Sequence, residues 1–351
     1  MKRAGNIYEK IVNKENIRKA ILNASKGKKN RKSVIQILDN MNYYVDDIHN
    51  ILVNKTYIPS PYVKMLIHDG ARKKERIIYK PRFYPDQVIH WALMQQIQPL
   101  LEKGMYEYCC ASVPNRGIHY GANYIKKILV RDRKNTKYAL KLDVKKFYPS
   151  IDKEIMKRKF MKIIKERDTL DLIDIIIDSS EAGLPIGNYT SQWFANFYLQ
   201  DLDHFIKEKL KVKYYLRYMD DMILFHRNKK ELHKIKDKIE ILLKKEDLKL
   251  KENWQLFKVA SRPIDFIGYR FYRGHTTLRR GNFLRIKRRA KRIYKKKYVT
   301  LTDASAMISY YGWLKHCNCY NFKQKYIKPY INIKKLKGVV SYANRKYSET
   351  K

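Results

Sequence analysis

The chain is predicted to be a mixed α/β protein of the α+β kind, with an antiparallel sheet near its centre. Three segments predict this. Tyr138 to Val144 alternates, with Tyr138, Leu140, Leu142 and Val144 on one face and Lys141 and Asp143 on the other, the pattern of a half-buried strand. Two apolar, β-prone runs, Tyr214-Tyr215-Leu216 and Met222-Ile223-Leu224-Phe225, flank the short polar step Tyr218-Met219-Asp220-Asp221 and read as a hairpin. Asn228 to Lys245 sets Leu232, Ile235, Ile239, Leu242 and Leu243 at helical spacing, and Asn228 with Glu231 forms a capping-box pattern at its start.

The remaining elements follow in chain order. Residues 7–56 read as helices with one basic break at Lys26 to Lys32, where Gly27 and Asn30 are poor helix formers. Ile67 to Tyr79 reads as a hairpin whose tip is Asp69-Gly70-Ala71-Arg72-Lys73-Lys74, Asp-Gly between apolar flanks being a strong turn signal. Pro85 is expected to open a helix running towards Leu101. Gly183 to Gln192 is an irregular loop whose Thr190, Ser191 and Gln192 start a helix through Leu199. After about residue 261 the composition shifts, and Arg285 to Lys297 holds nine Lys/Arg in thirteen residues with no acid. A boundary at 260/261 therefore divides a domain of residues 1–260 from one of residues 261–351. No repeat, low-complexity stretch or Pro/Gly/Ser linker interrupts either part.

Composition narrows the function. The 77 Lys+Arg against 34 Asp+Glu leave a net charge of +43 over 351 residues. A surplus of that size favours a polyanion, because each neutralised phosphate releases condensed counterions. Nucleic acid fits better than a membrane, since no stretch approaches the ~20 apolar residues of a spanning helix. Met1 to Asn6 leads into charged sequence without an apolar core, so no secretory signal is expected. Cys109, Cys110, Cys317 and Cys319 lack a paired CxxC framework, which suits free thiols in a reducing cytoplasm better than a zinc site.

Two adjacent acids in a tight turn are costly unless a cation neutralises them. Mg²⁺ takes carboxylates together with phosphate oxygens, the equipment of nucleotidyl transfer. Asp143 at the end of its strand is the candidate third carboxylate beside Asp220 and Asp221. Each feature alone has a plainer reading: a polar turn, a capping aspartate, a loop-to-helix entry.

Taken in order, Asp143-Val144 with Phe147-Tyr148, Leu184-Pro185-Ile186-Gly187-Asn188 with Ser191-Gln192, Tyr218-Met219-Asp220-Asp221, and Phe266-Ile267-Gly268-Tyr269 resemble a reverse transcriptase over roughly residues 50 to 330. The resemblance implies a right-hand polymerase of fingers, antiparallel-sheet palm and helical thumb. It implies that Asp143, Asp220 and Asp221 are catalytic and bind two Mg²⁺ (Mn²⁺ being an alternative), assisted by the Val144 carbonyl. Lys73, Lys74, Arg76, Tyr148, Ile186 and Gln192 would contact the dNTP, with Tyr148 rejecting a 2′-hydroxyl. Phe266, Ile267 and Gly268 would form the primer grip. Arg285, Lys287, Arg288, Arg289, Lys291 and Arg292 would track the nucleic acid.

The Ile-Gly-Asn form of the middle motif is similar to that of diversity-generating retroelements, and with it come expectations of error-prone copying of template RNA into cDNA, a DNA primer and a small basic accessory protein. An antiphage defence enzyme and a group II intron-like enzyme share the chemistry. A non-enzymatic RNA-binding protein with an inactive polymerase fold is the alternative of another class, and the intact acid trio argues against it. The expected location is the cytoplasm of a bacterium, or of one carrying a phage gene. One departure stands out: Leu248 to Gln255 lacks the Lys-Lys-Thr ending common in the family, so the sequence singles out no general-acid lysine.

Overall fold

The computed structural model describes residues 3–69 and 74–349. The chain divides into two compact units, the first made of Met1–Pro114, Lys141–Leu224 and Lys230–Gln255, the second of Asn115–Leu140, Phe225–Lys229 and Leu256–Lys351. Helices and antiparallel sheets alternate as the sequence predicts.

The chain opens with helices α1 (Tyr8–Val12), α2 (Lys14–Ser25), α3 (Lys32–Asp39) and α4 (Met41–Val53). Asn13 caps α2 by accepting from the amides of Glu15 at 2.9 Å and Asn16 at 3.3 Å. The predicted basic break falls between α2 and α3, with Gly27 in the left-handed region at φ +71°. Strands β1 (Val63–Asp69) and β2 (Lys74–Lys80) pair antiparallel with Ile67 opposite Arg76, an earlier start than the pattern suggested. Lys73 and the Lys74 side chain lie outside the described residues.

Helix α5 runs Val88–Lys103, so Pro85 does not open it. Pro85 instead sits in a separate turn at Phe83–Gln87, where Tyr84 is extended at φ −122°, ψ 134°. The ring of a proline crowds the preceding residue out of helical geometry, and the α-helix starts only once that restriction is passed. Buried Ile17, Ala20, Ile21 and Ala24 make α2 the packing partner of α5.

Next come α6 (Ile118–Arg131), β3 (Tyr138–Asp143), α7 (Phe147–Ser150), α8 (Lys153–Ile163), α9 (Arg167–Asp178), α10 (Tyr189–Tyr198) and α11 (Gln200–His204). They are followed by β4 (Tyr214–Tyr218), β5 (Asp221–His226), α12 (Lys229–Lys245) and β6 (Gln255–Lys258). The four-stranded sheet has the order β4-β5-β3-β6. Leu140, Leu142, Leu216, Ile223 and Leu224 are all buried in it, and α12 buries Leu232, Ile235, Ile239 and Leu243 as its periodicity requires.

The second unit contains the antiparallel sheet β7 (Ile264–Phe266), β8 (Tyr269–Phe271) and β9 (Thr276–Leu278). Helices α13 (Arg280–Tyr294), α14 (Leu301–Lys315), α15 (Tyr320–Tyr326) and α16 (Ile333–Glu349) complete it. Helix α13 buries Ile286, Ala290 and Ile293 on one face and leaves most of its cations on the other. Among the described residues no helix is long and apolar enough to cross a membrane.

Candidate active site

The hairpin that carries two of the predicted acids is held from beneath. Strands β4 and β5 are joined by Met219 and Asp220 alone, and Met219 takes φ +54°. A side-chain-bearing residue there is strained, and such strain collects at functional turns. Arg217, fully buried, supports that turn. Its guanidinium donates from Nε and Nη2 to Asp203 at 2.8 and 2.5 Å, and from Nη1 to Asn196 Oδ1 at 3.0 Å and to the Met219 carbonyl at 3.1 Å. Tyr215 donates to the same Asp203 at 2.8 Å. Asp220 thus occupies the turn and Asp221 opens β5, both half-buried.

Asp143 ends β3. Just beyond it Val144 faces Leu250 in an isolated antiparallel bridge, whose ladder bonds run from Lys251 N–H to the Asp143 carbonyl and from Lys145 N–H to the Lys249 carbonyl, each 2.8 Å. Those bonds leave the Val144 carbonyl out of this ladder. Lys146 turns the chain sharply at φ +48° into α7, where Phe147 is buried and Tyr148 donates to Met219 Sδ at 3.6 Å. The hydroxyl of Tyr148 is raised well above its ordinary value, first by burial and then by the charge of Asp220.

The structure pairs Asp143 with Asp220. Burial, then a hydrogen bond to Asp143 and the charges of Asp143 and Asp221, push Asp220 up to about 7. Asp143 Oδ1 is buried without a hydrogen-bond partner, while Asp143 Oδ2 accepts from the Lys251 ammonium. Among the described residues no group of three or more His, Cys, Asp or Glu side chains is arranged to hold a metal ion as it stands. Yet an orphaned carboxylate oxygen and a neighbouring acid held above its ordinary range are what a hard divalent cation relieves, and the donor set is all oxygen. The residues therefore fit a hard divalent cation.

Asp143, Tyr148, Asp220 and Asp221 line a cleft of about 2000 Å³, together with Arg76, Ile186, Gln192 and Lys251. The loop before α10 crosses it. Leu184 N–H donates to the Tyr148 carbonyl at 2.9 Å, and Tyr79 N–H of β2 donates to the Ile186 carbonyl at 2.8 Å. At Gly187, φ is +133° and an added Cβ would lie 2.4 Å from the Tyr79 carbonyl oxygen, so only glycine lets loop and ribbon approach this closely. Asn188, buried, donates to Tyr62 Oη at 2.7 Å and leaves its Oδ1 without a partner.

The second unit holds the other predicted residues. Phe266 and Ile267 are buried, and Ile267 and Gly268 form the two-residue turn between β7 and β8 at φ +42° and +83°. Two positive φ values suit a hairpin turn, but a β-branched residue in the first position is strained. On α13, Arg285, Arg288, Lys291 and Arg292 are exposed and Lys287 lies over the Tyr326 ring at 4.1 Å. Arg289 instead turns inward to buried Asp303 at 3.1 Å, which Lys296 also contacts. Sequence reasoning missed Lys251, which no periodicity or spacing marks, and the Arg217–Asp203 pair, whose charges suggest surface positions.

Comparison with known proteins gives four likenesses. The family described as "Reverse transcriptase (RNA-dependent DNA polymerase)" matches residues 71–271. The chain is 32% identical over 208 residues to the retron Ec73 reverse transcriptase of Escherichia coli, covering 55% of this chain and 63% of that protein, so it spans less than two thirds of that relative's length. Among solved structures, apo telomerase from Candida tropicalis aligns with a TM-score of 0.47 at 14% identity, over 67% of this chain and 52% of that one. Telomerase from Candida albicans, solved with a TWJ fragment of telomeric RNA, aligns with a TM-score of 0.48 at 12% identity, over 76% and 57% of the respective chains.

Proposed function

The chain belongs to the reverse transcriptase family, and from that premise we propose that it is an RNA-directed DNA polymerase that extends a DNA primer on an RNA template with dNTPs. The observation that carries this reading is the pairing of Asp143 with Asp220 beside Asp221, with Asp220 pushed up to about 7. Two Mg²⁺ ions, held by Asp143, Asp220, Asp221 and the Val144 carbonyl, would supply the Lewis acidity that activates a primer 3′-hydroxyl and stabilises the leaving pyrophosphate.

The protein's own groups orient the reactants. The half-buried Tyr148 ring stands as the steric floor that excludes a 2′-hydroxyl, while Ile186 presents an apolar edge to the nascent pair and Gln192 lines the same cleft. Arg76, with Lys73 and Lys74, is assigned to the triphosphate, Arg as a bidentate fork and Lys as a point charge. Phe266, Ile267 and Gly268 are assigned to the primer grip, and the exposed cations of α13 to the duplex backbone. In this reading residues 1–260 carry fingers and palm, and residues 261–351 the thumb.

The expected mutagenic copying of a retroelement repeat rests on the motif Ile186-Gly187-Asn188 with Ser191-Gln192. The likeness to a retron enzyme favours the antiphage defence reading over it.

Purified protein given an RNA template, a DNA primer, dNTPs and Mg²⁺ should extend the primer, and Asp220→Ala with Asp221→Ala should abolish extension. Continued cDNA synthesis by the folded double variant would overturn the assignment. Sequencing the cDNA separates the two roles, errors concentrated at template adenines marking mutagenic copying and uniform errors the defence reading.

A further inference from the structure

Lys251 stands where a cation belongs, and its position is built rather than incidental. Its main chain is fixed beside Asp143 by the two 2.8 Å ladder bonds of the Val144–Leu250 bridge, so the side chain needs only its own stem to reach the carboxylate. The ammonium contacts Asp143 Oδ2, while Oδ1 of the same carboxylate is buried without a hydrogen-bond partner. Both partners of the ion pair keep 30% of their side-chain surface exposed, which leaves the ammonium an open path to solvent. A lysine makes a single point-charge contact here, not the two-pronged grip of an arginine, and gives up its partner more readily.

We propose that Lys251 is a displaceable internal counter-ion of the acid cluster. It stabilises Asp143 in the metal-free protein and must leave Oδ2 before a divalent cation binds there, so it sets the affinity of the site for its first ion. The inference rests on the reading of Asp143 and Asp220 as metal ligands. Two cations sharing one carboxylate oxygen repel each other, and the energy of that repulsion is subtracted from metal binding. A lysine that served only as a structural ion pair would affect stability and leave cation affinity unchanged.

The test is Mn²⁺ binding to the full-length protein without nucleotide or nucleic acid, followed by electron paramagnetic resonance of the free ion. Wild type is compared with Lys251→Gln and Lys251→Met, and each protein's melting temperature is recorded in EDTA. Both variants should bind Mn²⁺ about five- to twenty-fold more tightly than wild type. They should also melt lower in EDTA and gain more from saturating Mn²⁺. If one variant aggregates, the other decides. Equal or weaker Mn²⁺ affinity in a folded variant overturns the inference and leaves the metal-ligand reading intact. Absence of Mn²⁺ binding in wild type and variants alike overturns that reading, and the inference with it.

Discussion

Arg217 donates from Nη1 to the carbonyl oxygen of Met219 at 3.1 Å, so a fully buried cation holds the strained apex of the hairpin that presents Asp220. Removing one member of a buried ion pair leaves the other charge uncompensated. Arg217→Met should therefore cost about 3–5 kcal/mol in urea unfolding. Adding Asp203→Leu should restore most of that stability, since a buried pair exchanged for apolar groups is often neutral. Primer extension should nevertheless stay impaired in the double variant, because the Met219 carbonyl still lacks its donor. Full recovery of both stability and extension would reduce Arg217 to a packing residue.

Glycine substitutions should sort by geometry. Gly187→Ala meets the Tyr79 carbonyl oxygen at 2.4 Å and Gly268→Ala meets the Trp313 ring at 2.4 Å, both at positive φ. Each should lose about 2 kcal/mol or more in urea unfolding. Gly281→Ala, on α13 with nothing within 4 Å, should be neutral or gain up to about 1 kcal/mol. Equal losses at all three positions would contradict the geometry.

Tyr148 tests the steric account of sugar selection. Tyr148→Ala should raise ribonucleotide incorporation relative to dNTPs by about tenfold or more, whereas Tyr148→Phe should leave the ratio unchanged. Single-nucleotide extension with rNTPs and dNTPs reads this directly, and an unchanged ratio in the alanine variant would remove the ring from the selection step.

His90 gives the fold a pH dependence. It is fully buried with Nδ1 unpartnered, and burial pushes its imidazole down to about 4 against the opposing pull of Asp86. Above its ordinary value near 6.5 the ring is neutral in both folded and unfolded chains. As pH falls from about 6.5 towards 4 the unfolded chain takes up a proton that the folded one refuses, so stability is lost across that window, by up to about 3 kcal/mol. Urea midpoints at pH 7.5, 6 and 5 should fall more steeply for wild type than for His90→Gln, and parallel slopes would assign the acid sensitivity elsewhere.

What the sequence made legible was local. The apolar runs around Tyr218 to Asp221, the alternation before Asp143 and the stripe of Leu232 to Leu243 each encode their own geometry, and all three elements form as expected. The break at Gly27 was equally readable. Pro85 misled because its fixed φ suits a first helical turn, and only the restriction it places on Tyr84 shows that the helix has not yet begun. Lys251 was out of reach for another reason. It lies 108 positions from Asp143 and meets it through a single isolated bridge, which leaves no periodic trace. Arg289 shows the limit of reading charge alone, since its basic helix spends that one cation on buried Asp303.

The bond from Tyr79 to Ile186 ties the exposed ribbon to the loop that crosses the cleft. Ribbon and loop are thereby joined at one point, where β2 meets the main chain of Ile186. Under the proposed function, a substitution in β1, away from Lys73, Lys74 and Arg76, should therefore alter copying accuracy through that single hydrogen bond.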